Sequence, residues 1–207
     1  MTGERCRTTR RGKAVWGWRL RAAGLLACAG LLASCGTQVR QGQTSSYLVL
    51  TNLQGASGAT GTFGSTVLSD VVTIVNNVPT VFNDPGQASF DLQMKDPIGT
   101  APSPNNSITL TQYHVEFVRS DGRNVPGVDV PYAFDGALTA TVSGSANVGF
   151  TLVRHAAKEE APLKALAFGG TPLTVIAKVT FYGHDQTGRE VSTSGNIEIT
   201  FWNFADA

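Results

Sequence analysis

The chain has 207 residues, 42% of them hydrophobic and 15% charged, with 16 basic side chains against 15 acidic ones. That near balance divides unevenly, into +6 up to Ser34 and −5 from Cys35 onward. Every basic cluster falls within the first 21 residues, which excludes a polycationic nucleic-acid binder for the body of the protein. The length suits one domain.

The leader has three zones. A basic stretch runs to Arg21, followed by an uncharged apolar run from Ala22 to Ala33 and then by Leu32-Ala33-Ser34-Cys35. The apolar run is too short for the ~20 residues a membrane-spanning helix needs, and it has the length of a signal-peptide core. The order of these zones and the final tetrapeptide resemble the lipobox of bacterial lipoprotein precursors. The resemblance implies cleavage before Cys35, a diacylglyceryl thioether on its sulfur, and anchoring in a membrane of the bacterial cell envelope. Gly36, in place of an inner-membrane-retaining Asp, favours the outer membrane. Thr9-Arg10-Arg11 leaves the export route open between the general and the twin-arginine pathways. Acyl chains contribute about 0.8 kcal/mol per buried CH₂, so two or three of them make a durable anchor. Cys6 and Cys28 would leave with residues 1–34, and the remaining single cysteine allows no disulfide.

Residues 35–45 are polar and without hydrophobic period, as expected of a tether whose coiled reach is roughly 17 Å. Residues 46–207 carry the period of strands. Ala88, Phe90, Leu92 and Met94 alternate with Ser89, Asp91, Gln93 and Lys95; Val148, Phe150 and Leu152 alternate with Gly149 and Thr151; Leu173 to Phe181 does the same. Further strands are predicted over Tyr47–Leu53, Ile108–Arg119, Ala137–Val142 and Val191–Phe204, with a bulge or kink allowed at Gly195. Turns are predicted at Asp84-Pro85-Gly86, Asp121-Gly122, Asp135-Gly136, Gly144 and Asp185–Gly188. Residues 97–106 read as a surface loop, and Ala156–Leu166, interrupted by Pro162, gives at most two helical turns. The pattern predicts an all-β protein, a single antiparallel sandwich of immunoglobulin-like or fibronectin-III-like type, with a β-barrel as the alternative.

Two stretches carry a further resemblance. Tyr182-Gly183-His184-Asp185-Gln186-Thr187-Gly188-Arg189-Glu190-Val191 resembles the last hairpin of bacterial Ig-like domains. Residues 122–132, with Glu160-Ala161-Pro162-Leu163 and the C-terminal hairpin, are similar to a group of uncharacterised secreted bacterial proteins, which implies no activity.

Chemistry is sparse in the sequence. There is no Gly-x-Ser-x-Gly elbow, no His-Glu-x-x-His and no Asp-x-Asp-x-Asp run, so no catalytic residue, cofactor or metal site is expected. His114, His155 and His184 are scattered. The loop aspartates Asp84, Asp121, Asp129, Asp135 and Asp185 read as turn formers, with calcium at one end of the sandwich as the alternative. Glu159-Glu160 beside Lys158 and Lys164 reads as a solvated face. Candidate binding residues are Trp202, out of phase with Ile199 and Phe201, together with Tyr182 and Asp185. The expected function is non-enzymatic: a membrane-anchored domain binding or presenting a protein or polysaccharide of the envelope. A hydrolase or carbohydrate-active enzyme on a β-sandwich, with two facing acids in a cleft, is the first alternative, and a structural spacer the second. Replacing Cys35 by Ala is expected to move the protein from the membrane pellet to the soluble fraction on fractionation; unchanged retention in the pellet would refute the lipobox reading.

Overall fold

Strict alternation is stable only as extended backbone, because period two alone sends Phe90 and Leu92 to one face and Asp91 and Gln93 to the other. The computed structural model describes residues 44–96 and 103–204; the leader, Cys35 and the tether up to Gln43 lie outside them. Ten strands account for most of these residues: β1 (Ser46–Gly55), β2 (Thr66–Asp70), β3 (Thr73–Val75), β4 (Val78–Thr80), β5 (Asp84–Met94), β6 (Ile108–Val118), β7 (Phe134–Val142), β8 (Ser145–Val153), β9 (Leu173–Asp185) and β10 (Glu190–Trp202). Two single-turn helices, α1 (His155–Lys158) and α2 (Leu163–Leu166), flank Pro162, and a 3-10 turn covers Pro104–Asn106. The protein is all-β.

One sheet has the order β1-β5-β8 and a second the order β2-β10-β9-β6-β7. All pairings are antiparallel except that of β2 with β10, which is parallel, so the second sheet is mixed and not purely antiparallel as the sequence suggests. The sheets lean together at both margins, where β1 packs along β10 and β7 approaches β8. Between them Phe90 and Phe181 meet edge to face at 4.9 Å, Phe150 packs on Phe181 at 5.3 Å, and Tyr113 packs on Phe150 at 5.3 Å. Offset and edge contacts of this kind suit the ring quadrupole better than face-to-face stacking.

Three sequence expectations are corrected. Asp84-Pro85-Gly86 opens β5 and Asp135-Gly136 lies inside β7, although both have turn composition. Each glycine is there because an aromatic ring occupies the space of its missing side chain: Phe150 over Gly86 and Tyr113 over Gly136. Gly195 makes no bulge, since β10 pairs with β9 in unbroken register; it admits the side chain of Leu50 from the opposite sheet. The short β2, β3 and β4 are additional to the predicted strands. β3 and β4 form a hairpin through Asn76 and Asn77, both at positive φ (52° and 63°), a conformation that Asn tolerates better than most residues.

Strand direction gives the domain two unlike poles. Ser46, Met94, Ile108 and the hairpin turn after Asp185 share one pole, where β7 and β8 are joined by only Ser143 and Gly144. The other pole receives residues 56–65, 71–83, 119–133 and 154–172. β1 covers ten residues, so the poles stand roughly 30 Å apart along it at ~3.3 Å per residue. The long excursions thus lie opposite the point where the chain enters at Ser46.

Candidate functional site

The far pole is organised by a polar cluster sealed from water. α1 turns Lys158 inward while Glu159 and Glu160 stay exposed, so the solvated-face reading holds for the two acids and fails for the lysine. The side chains of Lys158 and Asp84 are 1% and 0% exposed and meet at 2.8 Å, Nζ to Oδ1. Asp84, read from sequence as a turn former, also accepts from the Gly58 N–H at 2.8 Å and from Ser69 Oγ at 2.6 Å. Lys158 Nζ donates a second bond to the Asp70 carbonyl at 2.8 Å. These bonds satisfy both charges, the condition under which a buried ion pair is tolerable. Asp70 continues the network: its carboxylate accepts from Thr73 Oγ1 at 2.6 Å and from the Phe204 N–H at 3.2 Å. Five segments distant in sequence are thereby joined.

Next to this cluster, along β2, opens a groove of about 560 Å³. Its walls include Phe63, Leu68 and Phe204, and Asp70 is the single acid among the described residues that line it. Of the twelve large hydrophobic side chains exposed among the described residues, nine lie at this pole or on the groove's flank: Phe63, Leu68, Ile74, Val75, Val78, Val125, Val128, Tyr132 and Phe168. Phe168 is the extreme, 89% exposed and followed by Gly169 and Gly170, both at positive φ. In the 119–133 excursion Asp121 is clamped between Arg123 and Arg119, at 2.8 and 2.7 Å. Hydrogen bonds from the Arg123 side chain and N–H, and then from Arg119, hold its carboxyl well below the ordinary range.

The three candidate binding residues do not converge. Trp202 ends β10 at the far pole, half-buried, edge-on to Phe204 at 5.9 Å. Its indole N–H is buried without an acceptor among the described residues. Tyr182 is exposed on the outer face of the five-stranded sheet, opposite Ser192, ten positions from Trp202 along β10. Asp185 is buried at the near pole, with its Oδ1 taken by the Thr187 hydroxyl (2.7 Å) and the backbone N–H groups of Thr187 (2.8 Å) and Arg189 (2.9 Å). Burial pushes its carboxyl upward; the bonds from Thr187 and Arg189 outweigh this and hold it below the ordinary 3.8. Cys35 lies outside the described residues. The other loop aspartates are each engaged separately: Asp135 with His114 at 2.8 Å and Asp129 with the Val125 N–H at 3.2 Å. Among the described residues no three His, Cys, Asp or Glu side chains gather in a metal-holding group, and no helix is long and apolar enough to cross a membrane.

Sequence reasoning missed Asp84 and Lys158 as partners because 74 positions separate them and neither has a local signature. The far-pole apolar set was equally hidden, since only the strand directions bring its members to one end. No protein-family model matches the chain, and no curated protein matches it.

Two outcomes are expected. Lys158→Met strands the Asp84 charge in the interior and should cost about 3–5 kcal/mol in urea unfolding, whereas Lys164→Met, on the exposed side of α2, should cost less than about 0.5 kcal/mol. For Asp185, a folded pKa below the unfolded one contributes stability above the unfolded value, and that stability disappears as the pH falls through it toward the folded value. The stability advantage of the parent over Asp185→Asn should therefore be full near neutrality and shrink below about pH 4, as followed by urea midpoints across pH.

Proposed function

We propose that the chain is a lipid-anchored protein of the bacterial cell envelope, cleaved and acylated at Cys35, whose single domain binds a protein partner through its far pole. The observation that carries this reading is the asymmetry of exposed apolar surface. Solitary exposed hydrophobics need no explanation, but a set collected at one end marks an interaction surface. An anchor reaching the domain at Ser46 would leave that end facing away from the membrane, with the 35–45 tether allowing it to search. A protein partner fits valine, phenylalanine and tyrosine tips better than a polysaccharide does, because burying them is the main gain such a surface can offer. Outer-membrane anchoring, and the absence of a nucleic-acid partner, belong to the same proposal, resting on Gly36 and on the −5 charge from Cys35 onward.

The Ig-like assignment within residues 46–207 is also part of the proposal, and strand order supports it. Ig-type sandwiches group strands A, B and E in one sheet and C, F and G in the other. β1, β5 and β8 stand as A, B and E; β6, β9 and β10 as C, F and G, with β7 beside β6. The parallel β2 and the β3–β4 hairpin are additions between A and B. The non-enzymatic reading is favoured over the hydrolase alternative because, among the described residues, a single acid, Asp70, lines the groove, with both oxygens hydrogen-bonded.

Site-specific photo-crosslinkers at Val128 and Phe168, in intact envelopes, should capture one shared protein, while a probe at Tyr47 near the other pole should not. Capture from Tyr47 alone would reverse the assignment of the binding end.

A further inference from the structure

We infer that the groove beside β2 is a binding site for an uncharged, largely apolar small molecule. Its volume, about 560 Å³, lies within the range of sites that enclose most of a drug-sized ligand. The walls offer Phe63, 41% exposed, and Leu68, 62% exposed, together with Phe204, so a guest would remove substantial apolar surface from water. The charge around the groove decides the ligand class. The carboxylate of Asp70 is occupied by Thr73 and the Phe204 N–H, and Lys158 behind it is held by Asp84 and the Asp70 carbonyl. An anion would find no available cation and would face the Asp70 charge, while a cation would meet a carboxylate that is buried with both oxygens already bonded, so either would lose hydration for little return. What remains at the rim is neutral: Thr60, Thr62 and Thr66 are exposed, and their hydroxyls make no hydrogen bond to the described residues. They can each donate to or accept from an ether, keto or hydroxyl oxygen on the guest.

An added peptide strand is the competing occupant, since β2 is the edge of its sheet. The 56–65 segment stands in the way. Gly64, just before β2, pairs with Gly55, and the Asp70 N–H at the end of β2 lies 3.5 Å from Ser57 Oγ, so the 56–65 segment brackets this edge and leaves the short stretch from Thr66 to Leu68 for a strand to pair with. The groove therefore suits a compact guest better than an extended one.

The inference does not depend on lipidation or on the protein partner, and its test is separate from both. The full chain carrying Cys35→Ala is titrated with the uncharged fluorophore N-phenyl-naphthylamine and with its charged analogue anilinonaphthalene sulfonate. Saturable binding of the neutral dye is expected, with the sulfonate at least about tenfold weaker. Leu68→Asp should weaken the neutral dye by about tenfold or more by placing a charge in the apolar wall, and Thr62→Phe should block it by filling the mouth. Tyr47→Asp, near the other pole, should leave it unchanged. Absence of saturable binding, equal affinity for the sulfonate, or full affinity in both groove variants would overturn the inference. Circular dichroism of each variant reports its fold, and because Leu68 and Thr62 are exposed, neither change opens the core.

Discussion

The far half of this domain depends on one ion pair, Lys158 with Asp84. Neither charge touches water, so each is tolerable only while the other is in place. The consequence is conformational more than energetic. Residues 56–65, β2 and α1 have few reasons of their own to adopt one arrangement: they are glycine-rich, short or irregular. Requiring Gly58, Ser69 and the Asp70 carbonyl to converge on two buried charges selects a single arrangement among many compact ones. The aromatic core between the sheets needs no such device, because interlocked rings of Phe90, Phe150 and Phe181 already fix the spacing there.

This division explains what could be read from the chain in advance. β5, β8 and β9 were legible because half-buried strands write their environment in alternating residues. The two misjudged turns show where that rule stops. Asp-Pro-Gly and Asp-Gly have turn composition, but whether a glycine bends the chain or lies flat under a ring is decided by Phe150 and Tyr113, distant in sequence. β2 to β4 were illegible because Val71 to Val75 is nearly continuous in apolar and β-branched residues and carries no phase. The parallel pairing of β2 leaves no trace in either strand.

The candidate site was the least legible part for the same reason. Lys158 stands among alanines and glutamates in sequence and among carboxylate and carbonyl oxygens in space. Trp202, Tyr182 and Asp185 were conspicuous in the chain, by residue type or motif, and the fold gives them three different surroundings: a ring contact, an open sheet face and a closed turn. Salience of a residue type in a sequence and proximity in a fold are independent properties.

The two poles also set how the domain would bear load. A pull between the chain entering at Ser46 and a contact at the far pole runs along the axis of β1. All the bonds linking β1 to β5 are then strained side by side, as in a glued lap joint, instead of being peeled one after another from an end. With Leu50 seated against Gly195 across the sheets, β1 is keyed into both layers. Pulled along its own axis, the strand at which the chain enters therefore leaves only when its bonds to β5 fail together.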